Sequence, residues 1–220
     1  MSETPSRGTL AATGQDLRAT FGELDIYLFD QLLKGRFDHR PRVLDAGCGE
    51  GRNLRYLLGR GFTCYGLDRE PCAIDRVRRL AEALAPDGHE ASARFVVGHI
   101  DYLPWDDATM DVVICSAVLH FADDAAHFGR MVEEIARVLA PGGLLFTRLA
   151  SNIGLERTIG PGGRRALLPD GTERFVVDEP LLGAWTDRLG ARVADPIKTT
   201  VVSGMRAMTT WCLSRPSIEP

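Results

Sequence analysis

The chain lacks any long hydrophobic run. No stretch of its 220 residues approaches the roughly 18 consecutive apolar positions that a membrane-spanning helix needs. The first twenty residues are polar and rich in glycine and threonine, and they contain no apolar centre of the kind found in secretory signals. The sequence therefore predicts no membrane partner and a cytoplasmic location.

Cysteine is scarce, and its spacing excludes two kinds of site. The five cysteines are odd in number, form no C-x-x-C pair and have no neighbouring pair of histidines. Zinc sites and disulfide frameworks both depend on such regular spacings. We therefore expect free structural thiols, no disulfide and no metal.

An excess of positive charge is absent as well. Lysine and arginine total 26 against 30 acidic residues, and the arginine-rich segments at 76–79 and 163–165 are short. Proteins that bind nucleic acid usually carry a basic face, so we predict no nucleic-acid partner. An apolar content of 45% and a charged content of 25% are typical of a globular domain.

A glycine-rich segment is the most informative feature that is present. Residues 43–53 read V-L-D-A-G-C-G-E-G-R-N, an apolar run and an acid followed by glycine at every second position. The run predicts a buried parallel strand, and the glycines predict a tight turn into a helix. Such a turn lets a ligand approach the backbone, and a helix N-terminus suits an anionic group. A turn without a ligand is the alternative interpretation.

The spacing of this turn separates two classes of nucleotide site. A dinucleotide fingerprint, G-x-G-x-x-G, would need glycine where the chain has Arg52, which weakens the hypothesis of a nicotinamide dehydrogenase. Asp68 follows a second predicted strand, 62–67, and lies 23 residues after Asp45. In βαβ nucleotide folds an acid about 20 residues on accepts from the ribose hydroxyls. Alternatively, Asp68 caps the helix that follows.

The rest of the chain alternates strand and helix. The predicted elements are helices over 17–33, 71–84, 124–139 and 178–189, strands over 94–97, 111–116, 144–149, 192–202 and 206–213, and a hairpin around the Pro-Asp-Gly turn at 169–171. This rhythm predicts an α/β fold with a doubly wound, mostly parallel sheet and helices on both faces. A ligand then binds outside the carboxyl ends of the strands.

Several motifs in order resemble one family. The glycine turn, Asp68 and the segments 97–105, 110–121 and 137–145 are similar to motifs of the class-I S-adenosylmethionine (SAM)-dependent methyltransferases, most of all small bacterial enzymes of the tellurite-resistance-like kind. The resemblance covers about residues 40–150. It implies a seven-stranded Rossmann-like sheet in the order 3-2-1-4-5-7-6, with the last strand antiparallel, and SAM as cofactor.

The resemblance also implies a set of cofactor-binding residues: Asp45, Gly47, Cys48, Gly49, Asn53, Asp68, Arg69, His99, Ile100, Asp101 and Ser116. In the loop that holds adenine, the family usually has an acid directly after a glycine, but this chain has His99 there. We expect Asp101, or the Ile100 backbone with apolar packing, to hold the adenine instead.

Methyl transfer from a sulfonium needs alignment more than acid–base chemistry, because the leaving group is a neutral thioether. A base is needed only when the nucleophile arrives protonated. His120, at the end of the fourth strand, is the candidate base, with a loop or capping histidine as the alternative. Tyr27 lies on an N-terminal helix that often covers the site in this family. Arg148 and Arg206 are candidates for an anionic substrate or for structural ion pairs.

The predicted function is transfer of a methyl group from SAM to a small-molecule acceptor. We predict a disordered N-terminus over 1–15 and one domain over 16–220, as a monomer or homodimer. The acceptor is expected to enter between a lid helix, 17–33, and an insertion, 150–177. Two alternatives stay open, a SAM-dependent enzyme with non-methyl chemistry and a SAM-binding regulatory module without turnover, which the departure at His99 favours.

Overall fold

Strands and helices alternate along the chain in the computed structural model, which describes residues 13–217. The strands are β1 (Arg42–Ala46), β2 (Thr63–Asp68), β3 (Phe95–Val97), β4 (Met110–Ser116), β5 (Leu139–Ser151), β6 (Arg164–Leu167), β7 (Glu173–Val176), β8 (Arg192–Val202) and β9 (Arg206–Ser214). The helices are α1 (Gly14–Phe21), α2 (Ile26–Leu33), α3 (Arg55–Gly59), α4 (Pro71–Leu84), α5 (His89–Ser92), α6 (Ala125–Val138), α7 (Glu156–Ile159) and α8 (Glu179–Arg188).

Seven of these strands form one sheet in the order β3-β2-β1-β4-β5-β9-β8. The first five are parallel to one another, and β9 runs antiparallel to both of its neighbours. This confirms the predicted α/β class and the family order, since β8 and β9 are its sixth and seventh strands. The remaining pair, β6 and β7, is an antiparallel hairpin inside the predicted insertion.

Both faces of the sheet are buried because successive side chains of a strand point to opposite sides. Val112 and Val113 are fully buried in two different clusters, one on each face. One face packs against the apolar stripe of α6, and the other packs against that of α4. This two-sided cover leaves the carboxyl ends of the parallel strands as the place for a ligand.

The predicted single helix over 17–33 is wrong. Gly22 ends α1 with a φ of +63°, and the side chain of Asp25 then accepts from the Tyr27 N–H to cap α2. Residues 1–12 of the predicted disordered terminus lie outside the described residues. Thr13 caps α1 through a capping box with Asp16, so the predicted disorder does not extend to residues 13–15.

Two further boundaries differ from the prediction. The Pro-Gly-Gly segment after α6 does end that helix, but it continues as extended chain, because Gly142 and Gly143 exchange backbone hydrogen bonds with Arg215. The glycine turn leads into further turns and then the five-residue α3 rather than directly into a helix. The predicted helix N-terminus therefore does not face the turn. No helix of the described residues is long and apolar enough to cross a membrane.

Candidate active site

A cavity of about 290 Å³ opens at the carboxyl ends of β1, β2 and β4. It is lined by Gly47, Leu67, Asp68, Arg69, Glu70, Gly98, His99, Ile100, Asp101, Ser116, Ala117, Val118, Phe121, His127 and Met131. Seven of the eleven residues predicted to bind the cofactor are on this wall: Gly47, Asp68, Arg69, His99, Ile100, Asp101 and Ser116. The sequence motifs therefore located the cavity.

The glycine turn forms the floor of the cavity. Gly47 has a φ of +85°, and a Cβ there would overlap the Val118 side chain, so only glycine fits. The N–H groups of Gly47 and Cys48 both donate to the Leu67 carbonyl, at 2.8 and 3.0 Å, which fixes the turn to β2. Gly49, with a φ of +52°, has open space where a Cβ would point. The backbone is thus exposed to a ligand.

Asp68 connects the turn to the next helix. Its Oδ2 accepts from the Gly49 N–H at 2.9 Å, and its Oδ1 accepts from the Glu70 N–H at 3.0 Å. A carboxylate has about four acceptor positions, so roughly two remain for ribose hydroxyls on the cavity side. The alternative role is wrong, because Glu70 is the N-cap of α4 and no side chain caps that helix, whereas Asp68 lines the cavity.

Asp45 is buried at the end of β1, and neither of its oxygens has a hydrogen-bond partner among the described residues. Burial raises the pKa of this carboxyl to about 7, while the nearby Arg52 opposes the shift. A buried carboxylate without a partner is costly and calls for an explanation. A cationic group of a ligand, such as the ammonium group of SAM, would provide the missing partner.

Four predicted cofactor residues do not line the cavity: the buried Asp45, and Cys48, Gly49 and Asn53. Cys48 is buried with its Sγ 3.6 Å from the Gly49 carbonyl, and burial raises the pKa of its thiol. Gly49 contributes through its bond to Asp68. Asn53 is buried, and its Oδ1 accepts from the Asp25 N–H at 3.2 Å. Cys48, Gly49 and Asn53 hold the turn and the segment before α2 rather than forming the cavity wall.

The segment after β3 forms the opposite wall. Ile100 is buried, and Asp101 lies 3.9 Å from His127 Nε2 and 4.0 Å from Arg130 Nε on α6. Met131, on the same helix, also lines the cavity. Met131 lies in the apolar stripe of α6, and periodicity alone does not separate a core position from a cavity position.

His120 is not part of the cavity wall, whereas the next residue, Phe121, is. The imidazole is buried against the Phe121 ring, with centroids 4.6 Å apart, and its Nδ1 has no partner among the described residues. Burial, with a smaller effect of Arg174, lowers the pKa of His120 to about 4. The imidazole is therefore neutral at pH 7 and a weak proton acceptor.

Tyr27 also lies outside the cavity wall. Its hydroxyl hydrogen-bonds the Thr200 hydroxyl on β8, and its ring faces the Arg148 guanidinium at 5.0 Å. The helix that carries it is thus attached to the edge of the sheet. The predicted catalytic residues His120 and Tyr27 border the site but do not meet in it.

The sequence interpretation missed one buried polar residue of the site, Asp25. Asp25 Oδ2 accepts from Ser116 Oγ at 3.3 Å and from Arg148 Nη1 at 3.2 Å, and Arg52 Nη2 lies 3.9 Å away. We call Asp25, Arg52, Ser116 and Arg148 the Asp25 cluster. A capping acid at residue 25 was hidden by the prediction of one continuous helix. Arg206, the other candidate, is exposed at the turn between β8 and β9.

The insertion touches the cavity from the other side. Arg165 donates to the Ala122 carbonyl at 3.1 Å, and the Arg174 guanidinium lies 4.9 Å from the Phe121 ring centroid. The hairpin β6–β7 therefore packs against the turn that carries His120 and Phe121. All five cysteines are free, as predicted, and the described residues contain no cluster of metal-ligating side chains.

Comparison with known proteins agrees with this geometry. The methyltransferase domain family model matches residues 44–147. A thiol S-methyltransferase of Rattus norvegicus is 33% identical over 145 residues, which are 64% of this chain and 53% of that protein. A malonyl-[acyl-carrier protein] O-methyltransferase of Serratia marcescens is 32% identical over 111 residues, 50% of this chain and 39% of that protein. The chain thus spans about half, or less, of these relatives.

The fold is shared with solved structures as well. The 1,6-didemethyltoxoflavin-N1-methyltransferase of Burkholderia thailandensis, crystallised with its substrate and S-adenosylhomocysteine, has a TM-score of 0.66 at 20% identity and covers 93% of this chain and 83% of its own. The tellurite-resistance-like subgroup stays a prediction. With the glycine turn, Asp68 and the cavity in the positions that the family motifs predict, residues 44–147 form a methyltransferase domain of the class-I SAM-dependent kind.

Proposed function

We propose that the chain transfers a methyl group from SAM to a small acceptor that reaches the site as an anion, foremost a thiolate. The observation that carries this proposal is the state of His120, a buried imidazole whose pKa is lowered to about 4. At neutral pH such a group cannot hold a proton taken from the acceptor. His120, the predicted base, therefore does not take this proton, which favours an acceptor that is already ionised when it reaches the site.

The residues at the cavity fit SAM. Asp68 would accept from the ribose hydroxyls, the segment from Gly98 to Asp101 would enclose the adenine, and the unpartnered Asp45 would face the ammonium group. When bound, SAM supplies an electrophilic methyl carbon on a sulfonium. The chain's own contribution is to orient the two reactants and to exclude water, and positioning of this kind can supply roughly 7–11 kcal/mol.

The proton balance favours thiols over other acceptors. A free thiol has a pKa of about 8.5, against about 10 for a phenol and about 10.4 for an alkylammonium group. Moving a proton from a phenol to His120 would be uphill by about 6 pKa units, roughly 8 kcal/mol. A thiol is partly ionised near neutral pH without help, and a carboxylate is fully ionised.

The named relatives are consistent with this chemistry. The rat relative is a thiol S-methyltransferase, and the Serratia relative is an O-methyltransferase of malonyl-[acyl-carrier protein]. A carboxylate acceptor is therefore the second candidate. We also propose that the acceptor is a small molecule and not nucleic acid, that the protein is a monomer or homodimer, and that it acts in the cytoplasm.

The test is a turnover screen with SAM against matched thiols, carboxylates, phenols and amines, with Asp68→Ala as the inactive control. We expect thiols to turn over and kcat/KM to rise with pH along the ionisation of the thiol. A phenol or amine that reacts better than every thiol would contradict the proposal. SAM binding by calorimetry without turnover of any acceptor would favour the regulatory module, and turnover of SAM without methylated product would favour non-methyl chemistry.

A further inference from the structure

Arg148 stands beside the cavity on the next strand of the sheet. It pairs in register with Ser116, which lines the cavity, and its carbonyl accepts from the Ala117 N–H at 2.7 Å. The cavity extends over β1, β2 and β4, so β5 is on the side away from the ribose and adenine positions. Arg148 does not itself line the cavity, and its side chain, 22% exposed, lies next to the wall residue Ser116.

One edge of the Arg148 guanidinium has no partner. Asp25 accepts from Nη1, and the Tyr27 ring covers one face at 5.0 Å. Nε is fully enclosed and out of reach of a ligand, whereas Nη2 is not enclosed and no atom within residues 13–217 accepts a hydrogen bond from it. Nη2 is therefore free to donate to an anion, and hydrogen bonds between a guanidinium and a carboxylate are among the stronger ones.

The Asp25 cluster has more positive than negative charge, so it can bind one more anion. Asp25 Oδ2 lies 3.2 Å from Arg148 and 3.9 Å from Arg52, so a single carboxylate faces two guanidinium groups. Asp45 is the other carboxylate that acts on Arg52, and the proposed function pairs it with the ammonium group of SAM. An anionic ligand at Arg148 would then balance the remaining positive charge.

We propose that Arg148 binds a carboxylate group of the acceptor through Nη2, which makes mercaptocarboxylic acids the acceptor class. The inference rests on the proposed function. The thiol first loses its proton to water. The thiolate sulfur then forms a bond to the methyl carbon, while the sulfonium–methyl bond breaks and its electron pair stays on the departing sulfur. Arg148 positions the acceptor and takes no part in the proton transfer.

The first experiment compares mercaptoacetate, 3-mercaptopropionate and 4-mercaptobutyrate with their carboxamides in turnover. We expect kcat/KM to favour the best carboxylate by roughly 10- to 100-fold, mainly through KM. Arg148→Gln should remove this preference and leave the carboxamides within about threefold, whereas Arg148→Lys, which keeps the charge facing Asp25, should retain part of it. Arg206→Gln, an exposed arginine on β9, is the matched control and should change nothing.

The second experiment measures binding without turnover. S-adenosylhomocysteine-loaded protein is titrated by calorimetry with the three methylated thioether acids and their amides. Acids that bind wild type but bind Arg148→Gln at least tenfold more weakly support the inference, even if no thiol turns over and the proposed function fails. Equal binding of acids and amides at every chain length overturns it. A loss of S-adenosylhomocysteine affinity in both Arg148→Gln and Arg148→Lys also overturns it. Arg148 would then bind the cofactor's own carboxylate or stabilise the fold.

Discussion

Asp45 is the residue whose charge depends most on the ligand. Burial raises its pKa to about 7 in the unliganded protein, and the ammonium group of the cofactor needs it ionised. The affinity for S-adenosylhomocysteine should therefore rise roughly tenfold between pH 6 and pH 7.5. Calorimetry across this range checks the slope, and Asp45→Asn should bind weakly with a flat profile. A flat profile in wild type would mean that Asp45 does not face the ammonium group.

The adenine loop gives a second prediction at the same scale. Asp101 and His99 both line the cavity, but the Asp101 carboxylate is also held within about 4 Å of His127 and Arg130. We expect Asp101→Ala to weaken SAM binding by about 1–3 kcal/mol, because the adenine amino group loses a fixed acceptor. His99→Ala should weaken SAM binding by less than Asp101→Ala does. An equal or reversed order in calorimetry would show that the loop was aligned with the family incorrectly.

Individual site residues were predictable to different degrees. Gly47 and Asp68 follow strands in a fixed local spacing, so sequence alone located them. The Asp25 cluster could not be found this way, because Asp25 meets Asn53, Ser116 and Arg148 across 28, 91 and 123 residues of chain. His120 was predicted at the end of the fourth strand, but β4 ends at Ser116, four residues earlier, and the burial of His120 comes from packing that the motif does not encode.

The two N-terminal helices, α1 and α2, differ in how deeply they pack against the rest of the protein. In α2, Leu28 is fully buried and Gln31 is buried beside Asp195 of β8, whereas α1 has no buried residue. Asp195 also accepts from Lys34 and Lys198, and these contacts hold its pKa at about 2. The expected lid over 17–33 is therefore two elements, of which α1 is the less deeply packed.

Two N-terminal truncations distinguish the roles of α1 and α2 in stability. Removing residues 1–22 should leave the thermal unfolding midpoint within a few degrees and preserve SAM binding. Removing residues 1–33 deletes Leu28 and also Asp25, the acceptor of Arg148 and Ser116, and loss of one buried leucine alone costs about 2–5 kcal/mol. We expect that protein to unfold at a much lower temperature or not to fold at all. Equal midpoints for the two truncations would show that α2 is a mobile lid, as the sequence had suggested.

Elements were easier to predict than their ends. The parallel strands β1 to β4 read as short apolar runs, because both of their faces are covered, and their observed bounds differ by one or two residues from the expected ones. The break at Gly22 was missed because a single glycine inside an apolar stripe does not show whether φ turns positive. The start of β5 was missed because its Pro-Gly-Gly segment pairs with Arg215, far along the chain.

For the whole molecule, the pH dependence of stability should have a rising phase and then a nearly flat one. Ionisation of Asp195, whose folded pKa is about 2, adds stability as the pH rises to about 4. Above about pH 4 the folded protein keeps a proton on Asp45 that the unfolded chain has lost, which lowers stability as the pH rises, whereas His120, with a folded pKa of about 4, has lost a proton that the unfolded chain keeps, which raises it. Urea unfolding from pH 3 to pH 8 checks these signs, and Asp45→Asn should turn the flat range into a continued rise.

The increase in thermal stability that a bound ligand produces tests the cofactor assignment on the molecule as a whole. A ligand that binds only the folded state at about 100 times its Kd stabilises by about 2.7 kcal/mol. For a chain of this size that corresponds to a rise of roughly 5–10 °C in Tm. SAM and S-adenosylhomocysteine should both produce the shift, and Asp68→Ala should reduce it. NAD should produce none, because Arg52 stands where a dinucleotide turn needs its third glycine. A shift with NAD and none with SAM would overturn the cofactor assignment.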